Sequence, residues 1–71
     1  MVWTKVNHWN NTTLYQVDTG KASINVEIET KRDKVGSLKL ATCSLFGTYE
    51  GYGWPTVKTE IEELILKNQK P

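Results

Sequence analysis

Among the side-chain types that do nucleophilic or general-base work, histidine and cysteine occur once each in this sequence, as His8 and Cys43. A catalytic base needs an orienting partner and a nucleophile within reach. His8 stands between Asn7 and Trp9, no second histidine occurs, and no such set is recognisable. It reads as a surface or strand-packing residue. Cys43 lies in the apolar stretch Ser37–Phe46, where a free cysteine behaves as a small buried hydrophobe. Nothing basic flanks it to favour the thiolate. One cysteine and one histidine fall short of a tetrahedral metal site, and a lone cysteine closes no internal disulfide. Glu60, Glu62 and Glu63 resemble a carboxylate cluster, but 60 and 63 share a helix face while 62 diverges, so they read as solvated. Gly51-Tyr52-Gly53 lacks the Walker spacing and the G-x-G-x-x-G fingerprint. The expectation is a chain without catalytic residues, metal or cofactor, a binding module rather than an enzyme.

The residues suited to binding are aromatic and basic. Gly47–Trp54 (GTYEGYGW) alternates glycines with Tyr49, Tyr52 and Trp54, and tyrosine and tryptophan are enriched at binding hot spots. Those three residues are the candidates for contact with a protein partner or a second copy of the chain, together with an exposed sheet edge. The alternative is a nucleic-acid surface. Lys31, Arg32, Lys34 and Lys39 cluster around one hairpin and would hold phosphates, while Trp3, Trp9 and Tyr15 would stack on bases. Glu27 and Glu29, on the preceding strand, partly cancel the field of that basic cluster.

Composition narrows the field. With 71 residues there is room for one domain, 1–71, and one core. Such a domain buries only about 60% of the surface its unfolded chain exposes, so packing or self-association must supply the stability. The 38% apolar and 24% charged residues are those of a globular chain, not a disordered one. Nine basic against eight acidic residues leave a net charge of +1, which gives no global support to nucleic-acid binding. No apolar run approaches the roughly 20 residues of a membrane span, and no secretory leader is recognisable. With an unpaired cysteine, this favours a cytoplasmic protein without a membrane partner. The short compact sequence is also compatible with a phage or mobile-element product. The triplets starting at Asn10 and Asn11 read as turn residues rather than glycosylation sites.

Period-2 patterning dictates the elements that must position these residues. Met1–Trp9 alternates loosely, with Val2, Thr4 and Val6 on one side and Trp3, Lys5, Asn7 and Trp9 on the other. Asn10-Asn11 favours a turn, and Thr13–Asp18 is rich in β-branched and aromatic residues. Asp18-Thr19-Gly20-Lys21 is a hairpin loop in which Gly20 supplies a positive φ. Ala22–Thr30 is the clearest strand, with Ile24, Val26 and Ile28 inward. Ser37–Phe46 slips phase: Leu38 and Leu40 fall on one side, Ala41, Cys43 and Leu45 on the other. A β-bulge near Ala41, or cover on both faces, would account for it. Three glycines weaken Gly47–Trp54 as a strand.

Thr56–Asn68 is a helix, with Val57, Ile61, Leu64 and Ile65 in one stripe and Thr56 as its cap. Lys67 and Lys70 lie toward its negative end. The expected fold is therefore α+β, a small antiparallel meander of three to four strands packed by one C-terminal helix. Ile24, Val26, Ile28 and Leu40 would lie against the helical stripe.

Overall fold

The computed structural model describes residues 1–69, so Lys70 lies outside the described residues. Five strands, β1 (Val2–Trp9), β2 (Thr12–Asp18), β3 (Ser23–Arg32), β4 (Ser37–Cys43) and β5 (Gly47–Tyr52), precede one helix, α1 (Trp54–Asn68). The strands form one antiparallel sheet in chain order, β1-β2-β3-β4-β5. The α+β meander with a C-terminal helix is as expected, but it has five strands.

The turns follow from local chemistry. Asn10 takes a positive φ of 52° in the two-residue turn between β1 and β2. In the β2–β3 loop the Asp18 carboxylate accepts from the Gly20 N–H at 2.8 Å, and Gly20 takes φ 90°. Between β3 and β4, Asp33 Oδ1 accepts from the N–H groups of Val35 (2.9 Å) and Gly36 (3.0 Å). The side chain thus satisfies the turn's backbone donors.

The extra strand is β5. Two of its glycines sit where a strand tolerates them: Gly47 at its start has φ 88°, and Gly51 lies beneath the helix. A Cβ at position 51 would come within 3.1 Å of Val57 Cγ2 and 2.9 Å of Tyr49 Oη. Glycine at 51 is what lets the first turn of α1 press onto the sheet.

Two register expectations are corrected. The bulge is in β1, between Lys5 and Asn7, and β4 pairs without a break on both sides. The extra residue, Val6, shifts the alternation, so Trp3 and Lys5 face the helix side while Asn7 and Trp9 face away. In β4 the helix-facing positions are Lys39, Ala41 and Cys43. Leu38 and Leu40 turn to the helix-free face, so Leu40 takes no part in the core. Ala41 and Cys43 leave room for the helix where leucines would not.

The core is Val17, Val26, Ile28, Ala41 and Cys43 from the sheet against Val57, Ile61 and Ile65 from α1. Leu64 is only half-buried and sits at the margin of the stripe. The helix begins two residues before the expected Thr56 cap. Its N-cap is Gly53 at φ 86°, which offers no side-chain bond, and Pro55 occupies the first turn, where a missing N–H is harmless.

Strand β3, of ten residues, runs about 33 Å, whereas the fifteen-residue helix spans about 22 Å. The helix C-terminus is tied to the β2–β3 loop, where Gln69 Nε2 donates to Thr19 Oγ1 at 2.7 Å. The other end of the helix-bearing face is therefore left uncovered.

Candidate nucleic-acid interface

The uncovered end is a cleft of about 310 Å³ lined by Thr13, Tyr15, Ile28, Thr30, Lys39 and Trp54. The register explains its make-up. On β2 the inward positions run Val17, Tyr15, Thr13; on β3 they run Val26, Ile28, Thr30, Arg32; on β4 they run Cys43, Ala41, Lys39, Ser37. Each strand passes from apolar to polar toward the end where the helix begins: β3 and β4 change at the paired Thr30 and Lys39, and β2 one inward position earlier, at Thr13 opposite Ile28.

Two short hydrogen bonds order the polar rim. Lys39 Nζ donates to Thr30 Oγ1 at 2.9 Å, which fixes the ammonium yet leaves two of its three N–H groups for a ligand. His8 Nδ1 lies 2.8 Å from Thr13 Oγ1. The apolar wall is aromatic. Tyr15 and Trp54 stack at 5.5 Å with an interplanar angle of 18°. Trp3 meets both edge-on, at 5.4 Å and 5.6 Å. Trp3 is itself pinned, since its indole N–H donates to Glu62 Oε2 at 2.8 Å and Lys58 Nζ lies 5.9 Å from the ring centroid. Trp3 thus braces both Tyr15 and Trp54 from the side.

Charge is sorted by the same alternation. The strand carboxylates Asp18, Glu27, Glu29 and Glu50 all fall on the helix-free face, in phase with Gln16, Leu14, Leu40 and Thr48. The strand cations Lys5, Arg32 and Lys39 fall on the helix-bearing face, with Lys31 the exception. Trp54 in the cleft wall begins α1, whose first turn holds no acidic residue and whose N-cap supplies no side chain. The positive end of the helix dipole adds to the cationic character of this end.

The expected site residues separate accordingly. Of the seven residues named for a nucleic-acid surface, Trp3, Tyr15, Arg32 and Lys39 share the helix-bearing face. Trp9 and Lys31 point to the other face, and Lys34 lies exposed in the β3–β4 loop. The protein-binding set divides as well. Tyr49 is half-buried on the helix side, where burial, and then nearby Glu60, push its phenol above the ordinary range. Trp54 stands in the aromatic wall, while Tyr52 is exposed on the opposite face, its hydroxyl donating to Asp33 Oδ2. Tyr49, Tyr52 and Trp54 do not form one surface.

Cys43 is buried, and its Sγ accepts from the Leu45 N–H at 3.4 Å. Among the described residues no group of three or more His, Cys, Asp or Glu side chains converges as a metal site. Nor is any helix among them long and apolar enough to cross a membrane. Thr13 and Thr30 do not stand out in the sequence. The signal for Thr30 is the inward phase carried past Ile28, where Thr30 and Arg32 replace the apolar series, and that for Thr13 is the inward phase of Val17 and Tyr15 carried back along β2.

Comparison with known proteins gave no match: no family model, no curated protein and no solved structure is significantly similar to this chain.

Proposed function

We propose that the chain is a non-enzymatic module that binds single-stranded nucleic acid on the open end of its helix-bearing face. The observation that carries this is the sorting of charge by strand phase. A net charge of +1 conceals a sheet with Lys5, Arg32 and Lys39 on one face and its strand carboxylates on the other. A polyanion laid across the cleft meets ammonium and guanidinium groups, hydroxyls and the positive end of a helix, with no strand carboxylate beside it. The wall of Tyr15 and Trp54 supplies what distinguishes a nucleic acid from other polyanions, since stacking contributes about 1–3 kcal/mol per base. Flexible unpaired strands fit a cleft; a duplex hides its base faces. A cytoplasmic location belongs to this reading, supported by the unpaired, buried Cys43.

The reading that assigns a protein partner to Tyr49, Tyr52 and Trp54 gains no support from residues split between two faces.

Fluorescence anisotropy with a labelled single-stranded oligonucleotide tests the proposal. Binding should weaken linearly on a log–log salt scale, and Arg32→Gln with Lys39→Gln should flatten that slope by about 0.7 for each phosphate no longer neutralised. An anisotropy that stays flat at low salt with oligonucleotides of mixed sequence refutes it.

A further inference from the structure

We infer that the cleft is a pocket for one unpaired nucleotide, its base against the Tyr15–Trp54 wall and its phosphate on Lys39. The inference rests on the strand-binding reading and adds to it a discrete unit of recognition.

Three observations converge on a single nucleotide. The cleft, at about 310 Å³, lies at the small end of ligand pockets, which run from about 300 to 1,000 Å³. It can take one flat ring with a short polar attachment, not a run of stacked bases. Its lining is divided as a nucleotide is divided: the aromatic wall and Ile28 are apolar, whereas Thr13, Thr30 and Lys39 bring hydroxyls and a cation. Both halves are also fixed before a ligand arrives. Trp3 sets the planes of the wall from the side, and Thr30 Oγ1 holds the Lys39 ammonium. Preorganised groups lose little freedom on binding, which favours recognition of a small ligand.

The division makes a separable test. Backbone and indole N–H resonances of the protein are followed by two-dimensional NMR while adenosine 5′-monophosphate, adenosine or ribose 5-phosphate is added. Saturable shifts confined to Thr13, Thr30, Lys39 and the Trp54 indole are expected with the monophosphate. Adenosine and ribose 5-phosphate should each bind at least tenfold more weakly. Lys39→Gln should bring the monophosphate down to the affinity of adenosine and leave adenosine unchanged.

Equal shifts from the monophosphate and ribose 5-phosphate overturn the inference, because the cleft is then an anion site indifferent to the base. Oligonucleotide binding without any cleft shift from the monophosphate overturns it too, and leaves the strand-binding reading intact. Failure of every oligonucleotide, by contrast, removes that reading at its root.

Discussion

The helix-bearing face divides into two halves built on the same strands. Under α1 the inward positions are Val17, Val26, Ala41 and Cys43; past its N-terminus they are Thr13, Thr30, Arg32 and Lys39. Backbone pairing is continuous across the boundary, so the strands themselves do not distinguish the halves. What changes is the partner opposite each side chain, apolar helix on one side and solvent on the other. One half is committed to stability, because burial of apolar surface drives folding. The other is free for polar groups, because no packing constrains it. The length of a single helix thereby decides how much of a sheet is available for binding.

The largest expected effect breaks the covered half. Ile61 is fully buried, and Ile61→Ala should cost about 2–5 kcal/mol. Against the thin stability of so small a domain, chemical denaturation should show a midpoint moved to much lower denaturant. Thr30→Val, in the open half, should change stability by no more than about 0.5 kcal/mol. Comparable losses from both would end the distinction.

A middle-sized effect lies at the seam. Gly51→Ala would set a methyl group 3.1 Å from Val57 Cγ2, so overpacking of about 1–3 kcal/mol is expected in thermal melts. An unchanged melting temperature would mean that the helix can lift off β5 without loss.

The smallest effect concerns the helix-free face. The Tyr52 hydroxyl, then the N–H groups of Gly36 and Val35, hold the Asp33 carboxyl below its ordinary range. The same Tyr52–Asp33 bond, assisted by desolvation, raises the phenol. A lowered carboxyl stabilises the fold above its unfolded value of about 3.9, and that contribution vanishes as pH falls through the folded value. A raised phenol stabilises below its unfolded value of about 10, and its contribution vanishes as pH rises through the folded one. Asp33→Asn should therefore flatten the melting temperature on both the acid and the alkaline side. Both groups are exposed, so the change should be slight, and an unaltered profile would show that the bond does not persist in solution.

Much of the fold is legible in the sequence because alternation and turn chemistry are local. Ile24, Val26 and Ile28 announce β3, Asn10 announces the β1–β2 turn, and Asp18 and Gly20 announce the β2–β3 loop. The bulge is not legible. Val6 differs in no chemical respect from a regular strand residue, and only pairing against β2 shows that β1 has one residue too many. From that single slip follow the wrong side for Trp9 and the missed partnership of His8 with Thr13. Leu38 and Leu40 mislead for a different reason: hydrophobicity alone points them to the core, whereas the helix selects the smaller Ala41 and Cys43 opposite it. The cleft is half legible. Tyr15 and Lys39 stand out by type, but that they line one cleft with Thr13, Thr30 and Trp54 depends on the register of three strands and on where the helix begins.

The bulge in β1 also bears on how these molecules behave in a crowd. An unpaired edge strand is a template on which further chains can add, and Met1, Val2, Val6 and Trp9 leave this one apolar and exposed. Val6 interrupts the row of free backbone donors and acceptors, leaving two short runs, Val2–Lys5 and Asn7–Trp9, that are out of step with each other. A strand arriving in register with the first run is out of register with the second. The residue that hides the fold from sequence reading thus acts as a guard against fibre growth along the sheet.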